Sequence, residues 1–107
     1  MSAARINEEQ FHSLIQQETP TLVFFQAPWC GYCRKIEGSY SRIARNWAGK
    51  LAVATLNTDD HPALARALEI EVVPTLILYR SGRELDSIVA PESQSMIESF
   101  LHRVLNP

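Results

Sequence analysis

Residues 21–33, Thr21-Leu22-Val23-Phe24-Phe25-Gln26-Ala27-Pro28-Trp29-Cys30-Gly31-Tyr32-Cys33, run an apolar segment straight into a pair of cysteines. Thr21 to Gln26 is β-branched and aromatic, and apolar nearly throughout, the pattern of a strand covered on both faces. Pro28 ends it, and the cysteine motif opens a helix that the spacing carries from Gly31 to Trp47. Two residues between cysteines let both sulfurs meet across one helical turn. A helix that begins at Cys30 sets its sulfur beside unpaired N–H groups and the positive end of the helix dipole, which favours thiolate over thiol. A thiolate with a second thiol in reach can attack a disulfide and then be released by its neighbour.

Working outward, Cys33, Ile36, Tyr40, Ile43 and Trp47 recur at three- and four-residue spacing, one apolar face of that helix. Gly38 sits within it and predicts a bend or weak point. Upstream, Asn7-Glu8-Glu9-Gln10 reads as a helix start with Asn7 as N-cap and Gln10 at the third position. Phe11, Leu14 and Ile15 supply its apolar face to about Gln17, and Thr19-Pro20 breaks it. Downstream, Leu51 to Asn57 reads as a second strand, and Asp60 or its neighbour caps a short helix around Pro62 to Leu68. Thr75 to Tyr79 is a third strand. Ser81-Gly82 is a tight turn that returns it antiparallel as Glu84 to Val89. Pro91 and Ser93 introduce a last helix with Met96, Ile97, Phe100, Leu101, Val104 and Leu105 as one stripe. The fold class is α/β: a central mixed sheet of four to five strands, helices on both faces, early strands parallel through right-handed crossovers.

The chain has 107 residues, 46% hydrophobic and 21% charged, with net charge −2. That is one domain, residues 1–107, able to bury roughly two-thirds of its unfolded surface without staples. Interspersed charge of this size is not the basic footprint of a nucleic-acid binder. No apolar stretch approaches the ~20 residues of a membrane span. The first twenty residues carry Arg5, Glu8, Glu9 and Glu18 and no apolar h-region, so a cytoplasmic location is expected. A chain whose leader had been removed for export, to the periplasm for example, would read the same way.

Two cysteines are too few for a disulfide scaffold. A zinc site needs four ligands, and His12, His61 and His102 are scattered singly. A purely structural bridge is the other alternative, but so short a loop constrains the unfolded chain little. The histidines read as solvated or capping residues, and Arg34-Lys35 and Arg42 to Arg45 as the wet face of the second helix. Arg34 and Lys35 add a screened charge that favours thiolate at Cys30.

Ala27-Pro28-Trp29-Cys30-Gly31-Tyr32-Cys33, Leu56-Asn57-Thr58-Asp59 followed by Pro62, and Val73-Pro74-Thr75 with Gly82 beyond resemble the thioredoxin family in content and spacing, nearly end to end. The resemblance implies a thioredoxin fold with a cis peptide at Val73-Pro74 packed against the cysteines. It implies a thiol–disulfide oxidoreductase in which Cys30 is the nucleophile and Cys33, more buried, resolves the mixed disulfide. Trp29, Gly31, Tyr32, Val73 and Pro74 form its docking surface, where an extended substrate segment pairs with backbone groups. No cofactor or metal is implied. The partners are disulfide-containing proteins, with thioredoxin reductase or another dithiol donor upstream, and a monomer is expected.

Five positions depart from that family. Tyr32 replaces the usual proline before the second cysteine. Phe24 stands where the strand normally carries a buried acid, and Thr55 where a lysine lies opposite it. Gly38 replaces a helix-bending proline, and Ala90 a glycine near the substrate groove. With the acid gone, another group or water must move the proton when the second cysteine attacks. Glu37 is a candidate, and a solvated surface carboxylate is its alternative reading. Gly-Tyr is similar to the dipeptide of some periplasmic disulfide isomerases, and Tyr32 to that of glutaredoxins. The chain lacks the Thr-Val-Pro segment and Gly-Gly turn with which glutaredoxins bind glutathione. Reduction of protein disulfides is the expected activity; an exported oxidase or isomerase and a non-catalytic scaffold or co-chaperone module are its alternatives.

Overall fold

The computed structural model describes residues 3–106. Five strands form one sheet in the order β1-β3-β2-β4-β5: β1 (Ala4–Arg5), β2 (Thr21–Gln26), β3 (Ala52–Asn57), β4 (Thr75–Arg80) and β5 (Arg83–Val89). β3 runs parallel to both β1 and β2, whereas β4 is antiparallel to β2 and β5. The helices are α1 (Glu8–Leu14), α2 (Gly31–Lys35), α3 (Glu37–Asn46), α4 (Pro62–Ala67) and α5 (Gln94–Leu105), with a 3₁₀ turn over Thr58–Asp60.

β2 lies in the middle of the sheet, which explains its unbroken apolar character. Leu22 and Phe24 face one core with Tyr40 and Ile43 of α3 and Phe100 and Leu101 of α5. Val23 and Phe25 point the other way, onto Phe11 of α1 and Leu64 of α4. Phe24 has 0% exposure, and its ring lies 3.8 Å, centroid to centroid, from that of Tyr40. In register it sits between Thr55 on β3 and Leu76 on β4. The sheet centre at this position is therefore apolar.

Local signals account for most boundaries. Asn7 Oδ1 accepts the Gln10 N–H at 2.8 Å and Gln10 Oε1 accepts the Asn7 N–H at 2.8 Å, a complete capping box. Ser93 caps α5 by accepting the Met96 N–H. Ser81 and Gly82 both take positive φ, 52° and 81°, the primed turn that matches strand twist. Their N–H groups donate to the carbonyls of Gln17 and Ile15, which buttress the hairpin on the end of α1.

The structure corrects two expectations, the helix break and the place of Met96, and fills in two others. β1, a two-residue strand, was not foreseen; it extends the sheet beyond β3. The helix expected over 31–47 breaks at Ile36 rather than Gly38. There the Ser39 N–H reaches the Ile36 carbonyl at 2.9 Å, a tightened i→i+3 turn. Of the two caps expected for α4, it is the neighbour of Asp60, His61, that takes the N-cap position, without a side-chain bond. Met96 leaves the α5 stripe with 48% exposure; its sulfur accepts the Glu92 N–H across the helix start. Among the described residues no helix is long and apolar enough to cross a membrane.

Candidate active site

Cys30 occupies the N-cap of α2 with extended backbone, φ −83° and ψ 105°. This is the geometry in which a cap side chain accepts from the first turn, and Cys30 Sγ takes the Cys33 N–H at 3.1 Å. The two cysteines form a disulfide with Cα atoms 5.3 Å apart. Both are buried, Cys30 at 5% exposure and Cys33 at 2%, so Cys33 is the deeper by a small margin. They pack with Ala27, Tyr32 and Val73 in a small cluster of their own.

The Val73-Pro74 peptide is cis. It brings the Val73 carbonyl oxygen to 3.7 Å from Cys30 Sγ. The Pro74 carbonyl accepts the Ala90 N–H at 2.8 Å, and Ala90 holds φ at 45°, the left-handed region that favours glycine. Tyr32 Oη donates to the Pro91 carbonyl at 2.8 Å. Tyr32, Pro91, Ala90, Pro74 and Val73 thus form a linked wall around the sulfurs. Trp29 stands at the rim, 69% exposed, with Nε1 donating to Asp59 Oδ1 at 3.2 Å. Gly31 is exposed with open space at its Cβ position.

The five expected docking residues therefore lie beside the two cysteines, and Ala90, expected near the groove, bonds to the Pro74 carbonyl. Asp59 and Pro91 were not singled out as contacts of the site: Asp59 lies in a segment recognised by its spacing, but its bond to Trp29 spans the fold. Arg34 Nη1 donates to the Pro28 carbonyl, which fixes that guanidinium to the loop before the motif. Lys35 is exposed. Among the described residues no group of three or more His, Cys, Asp or Glu is gathered as for a metal ion.

On its other side Cys33 lines a cavity of about 310 Å³ with Arg5, Gln26, Arg34, Glu37 and Asn57. Glu37 is exposed at the start of α3. The sheet positions Phe24 and Thr55, paired across β2 and β3, carry neither carboxylate nor amine.

A dithiol held at a helix start against a cis X-Pro loop, on this sheet order, defines a thiol–disulfide oxidoreductase of thioredoxin fold. A family model described as thioredoxin matches residues 2–103, and the chain belongs to the thioredoxin family. The thioredoxin of Porphyra purpurea is 33% identical over 107 residues, covering 99% of this chain and 100% of that protein. A thioredoxin of Synechocystis sp. is 34% identical over 107 residues, with 98% and 100% covered. Among solved structures, Malassezia sympodialis thioredoxin (Mala s 13) matches with a TM-score of 0.86 and 24% identity, covering 96% of this chain and 90% of that one. That last likeness bears on the fold alone.

Proposed function

We propose that this oxidoreductase works in the reducing direction, passing two electrons from its dithiol to disulfides of protein substrates. The Cys30 thiolate attacks one substrate sulfur; the substrate S–S bond breaks and the first substrate thiolate leaves and takes a proton. Cys33 gives up its proton and attacks Cys30 Sγ. The mixed disulfide breaks, the second substrate thiol is released, and Cys30–Cys33 is left oxidised. A reductase such as thioredoxin reductase, or another dithiol donor, returns the electrons. The protein acts as a monomer in a reducing compartment such as the cytoplasm, where such a donor operates.

The observation that carries this reading is the placement of Cys30 Sγ. It accepts a first-turn N–H at 3.1 Å and sits beside the Val73 carbonyl, under an exposed Trp29. The N–H stabilises sulfur as thiolate, while Trp29, Gly31, Tyr32, Val73 and Pro74 give an extended peptide an apolar, partly backbone surface to lie on. Two measurements test it. Insulin reduction should proceed with wild type and fail with Cys30→Ser; binding without reduction would instead favour the scaffold. The Cys30–Cys33 potential, equilibrated against glutathione, should lie below about −220 mV, in the range of reducing pools. A value near about −120 mV, that of strong dithiol oxidants, would favour the exported oxidase.

A further inference from the structure

For Cys33 to attack, its buried thiol must lose a proton, and sheet positions Phe24 and Thr55 offer no acceptor. Phe24 is fully buried against Tyr40, and its neighbour Thr55 does not ionise at neutral pH. The remaining exit is the cavity of about 310 Å³ on whose wall Cys33 lies. A second hollow of about 210 Å³ shares Arg5, Gln26 and Glu37 with it and adds Tyr40, Ser41 and Thr55. The cavity beside Cys33, whose wall also includes Ala27 and Pro28, has room for several waters at ~30 Å³ each, with the Gln26 and Asn57 amides and the Glu37 carboxylate as partners to hold them.

We propose that Glu37 is the proton-relay residue for Cys33, exchanging its proton with Cys33 Sγ through water in this cavity. The inference rests on the reading of Cys33 as the resolving thiol. In the forward step the Cys33 S–H proton passes by way of water to the Glu37 carboxylate as the Cys33–Cys30 bond forms, and the departing substrate thiolate takes a proton from solvent. Glu37 then releases its proton at the cavity mouth, where it is exposed. When the disulfide is reduced again, the path runs backward.

The other charged and titratable groups around the cavity do not compete for this role. Arg5 on β1 and Arg34 on α2 line the same cavity, but guanidinium groups stay protonated and cannot accept the proton; their positive charge favours a thiolate in that cavity. Burial, and then the negative charge of Glu37, push the Tyr40 hydroxyl well above its ordinary pKa, so it stays neutral. Asp60 and His61 do not line the Cys33 cavity; they line an adjoining hollow that shares Arg5 and Asn57 with it.

The test separates the two thiol steps. Wild type, Glu37→Gln, Glu37→Asp and Cys33→Ser are loaded at Cys30 with a peptide mixed disulfide, and peptide release is followed by rapid quench between pH 5.5 and 9. Glu37→Gln is expected to slow release about tenfold or more near pH 7, less than the roughly 10²–10⁴ of a directly bonded general base because water carries the proton. The deficit should close as pH rises and hydroxide takes the proton. Glu37→Asp should recover part of the rate, and Cys30 attack on a fresh disulfide should be unaffected. Asp60→Asn and His61→Gln should release peptide as wild type does. Unchanged release in Glu37→Gln overturns the relay, as does an equal slowing of attack and release or a deficit independent of pH. Failure of the underlying reading looks different: Cys33→Ser would then release peptide as fast as wild type.

Discussion

Replacing Tyr32 by phenylalanine removes a single oxygen from the wall of the site. That hydroxyl donates to the Pro91 carbonyl at 2.8 Å, and Pro91 is buried, so the variant leaves an acceptor with poor access to water. A net intramolecular hydrogen bond is worth about 0.5–1.5 kcal/mol, and an orphaned buried acceptor raises the loss toward roughly 3 kcal/mol. Tyr32 is itself half-buried, which lets some water in and favours a loss of about 1–1.5 kcal/mol. At about 4–8 °C per kcal/mol for a domain near this size, Tm should fall by about 5–10 °C. Thermal unfolding of the oxidised protein, followed by circular dichroism, reads this directly. The same bond steadies the Ala90–Pro91 side of the groove, so KM for protein disulfides should rise while the rate with a small aromatic disulfide stays near wild type. A Tm within about 1 °C of wild type would refute the reasoning, since no bond in this range could then be present. A fall in Tm with unchanged KM would leave the bond but remove its role in docking.

Phe24→Ala should cost about 3–5 kcal/mol, because a fully buried ring leaves a cavity against Tyr40 and Leu76; urea titration should show a lower midpoint at unchanged m. Ala90→Gly should stabilise by about 0.5–1 kcal/mol, because relief of a left-handed alanine, worth about 1–2 kcal/mol, exceeds the added unfolded-state entropy of about 0.4–1 kcal/mol. Glu98 supplies the pH dependence. Burial pushes its carboxyl up, but hydrogen bonds from Trp47, Asn46 and Gln94 and the charge of His102 outweigh that and hold it below the ordinary 4.5. Its carboxylate therefore contributes stability in full above that ordinary value, and the contribution is lost as pH falls through the lowered one. Stability curves of wild type and Glu98→Gln should be offset at pH 7 and draw together as pH falls through that lowered value; a constant offset would contradict the assignment.

What the sequence disclosed was whatever local chemistry dictates. Asn7 and Gln10 announce their capping box, Ser81-Gly82 its primed turn, and the run Leu22 to Phe25 its two-sided burial, because each depends on neighbours a few residues away. The Trp29–Cys33 motif and Val73-Pro74 also carried their positions in their spacing. Features that arise only when distant segments meet were not legible. Ala4–Arg5 is too short to show strand alternation and becomes a strand through its pairing with β3. The break at Ile36 follows from a turn tightened between the motif and α3. Met96 fits the helical period yet faces solvent, because the core on that side is already closed by Ile97 and Phe100. The bond from Tyr32 to Pro91 joins residues far apart in the chain, and the cavity beside Cys33 has Arg5 of β1 in its wall, brought there by the fold.

The division of labour between the two sulfurs is tested most directly by trapping. Cys33→Ser, reduced and incubated with a disulfide-containing protein, should accumulate a mixed disulfide that peptide mapping by mass spectrometry places on Cys30, whereas Cys30→Ser should accumulate none. An adduct on Cys33 in Cys30→Ser, formed as fast as the Cys30 adduct in its counterpart, would contradict the account.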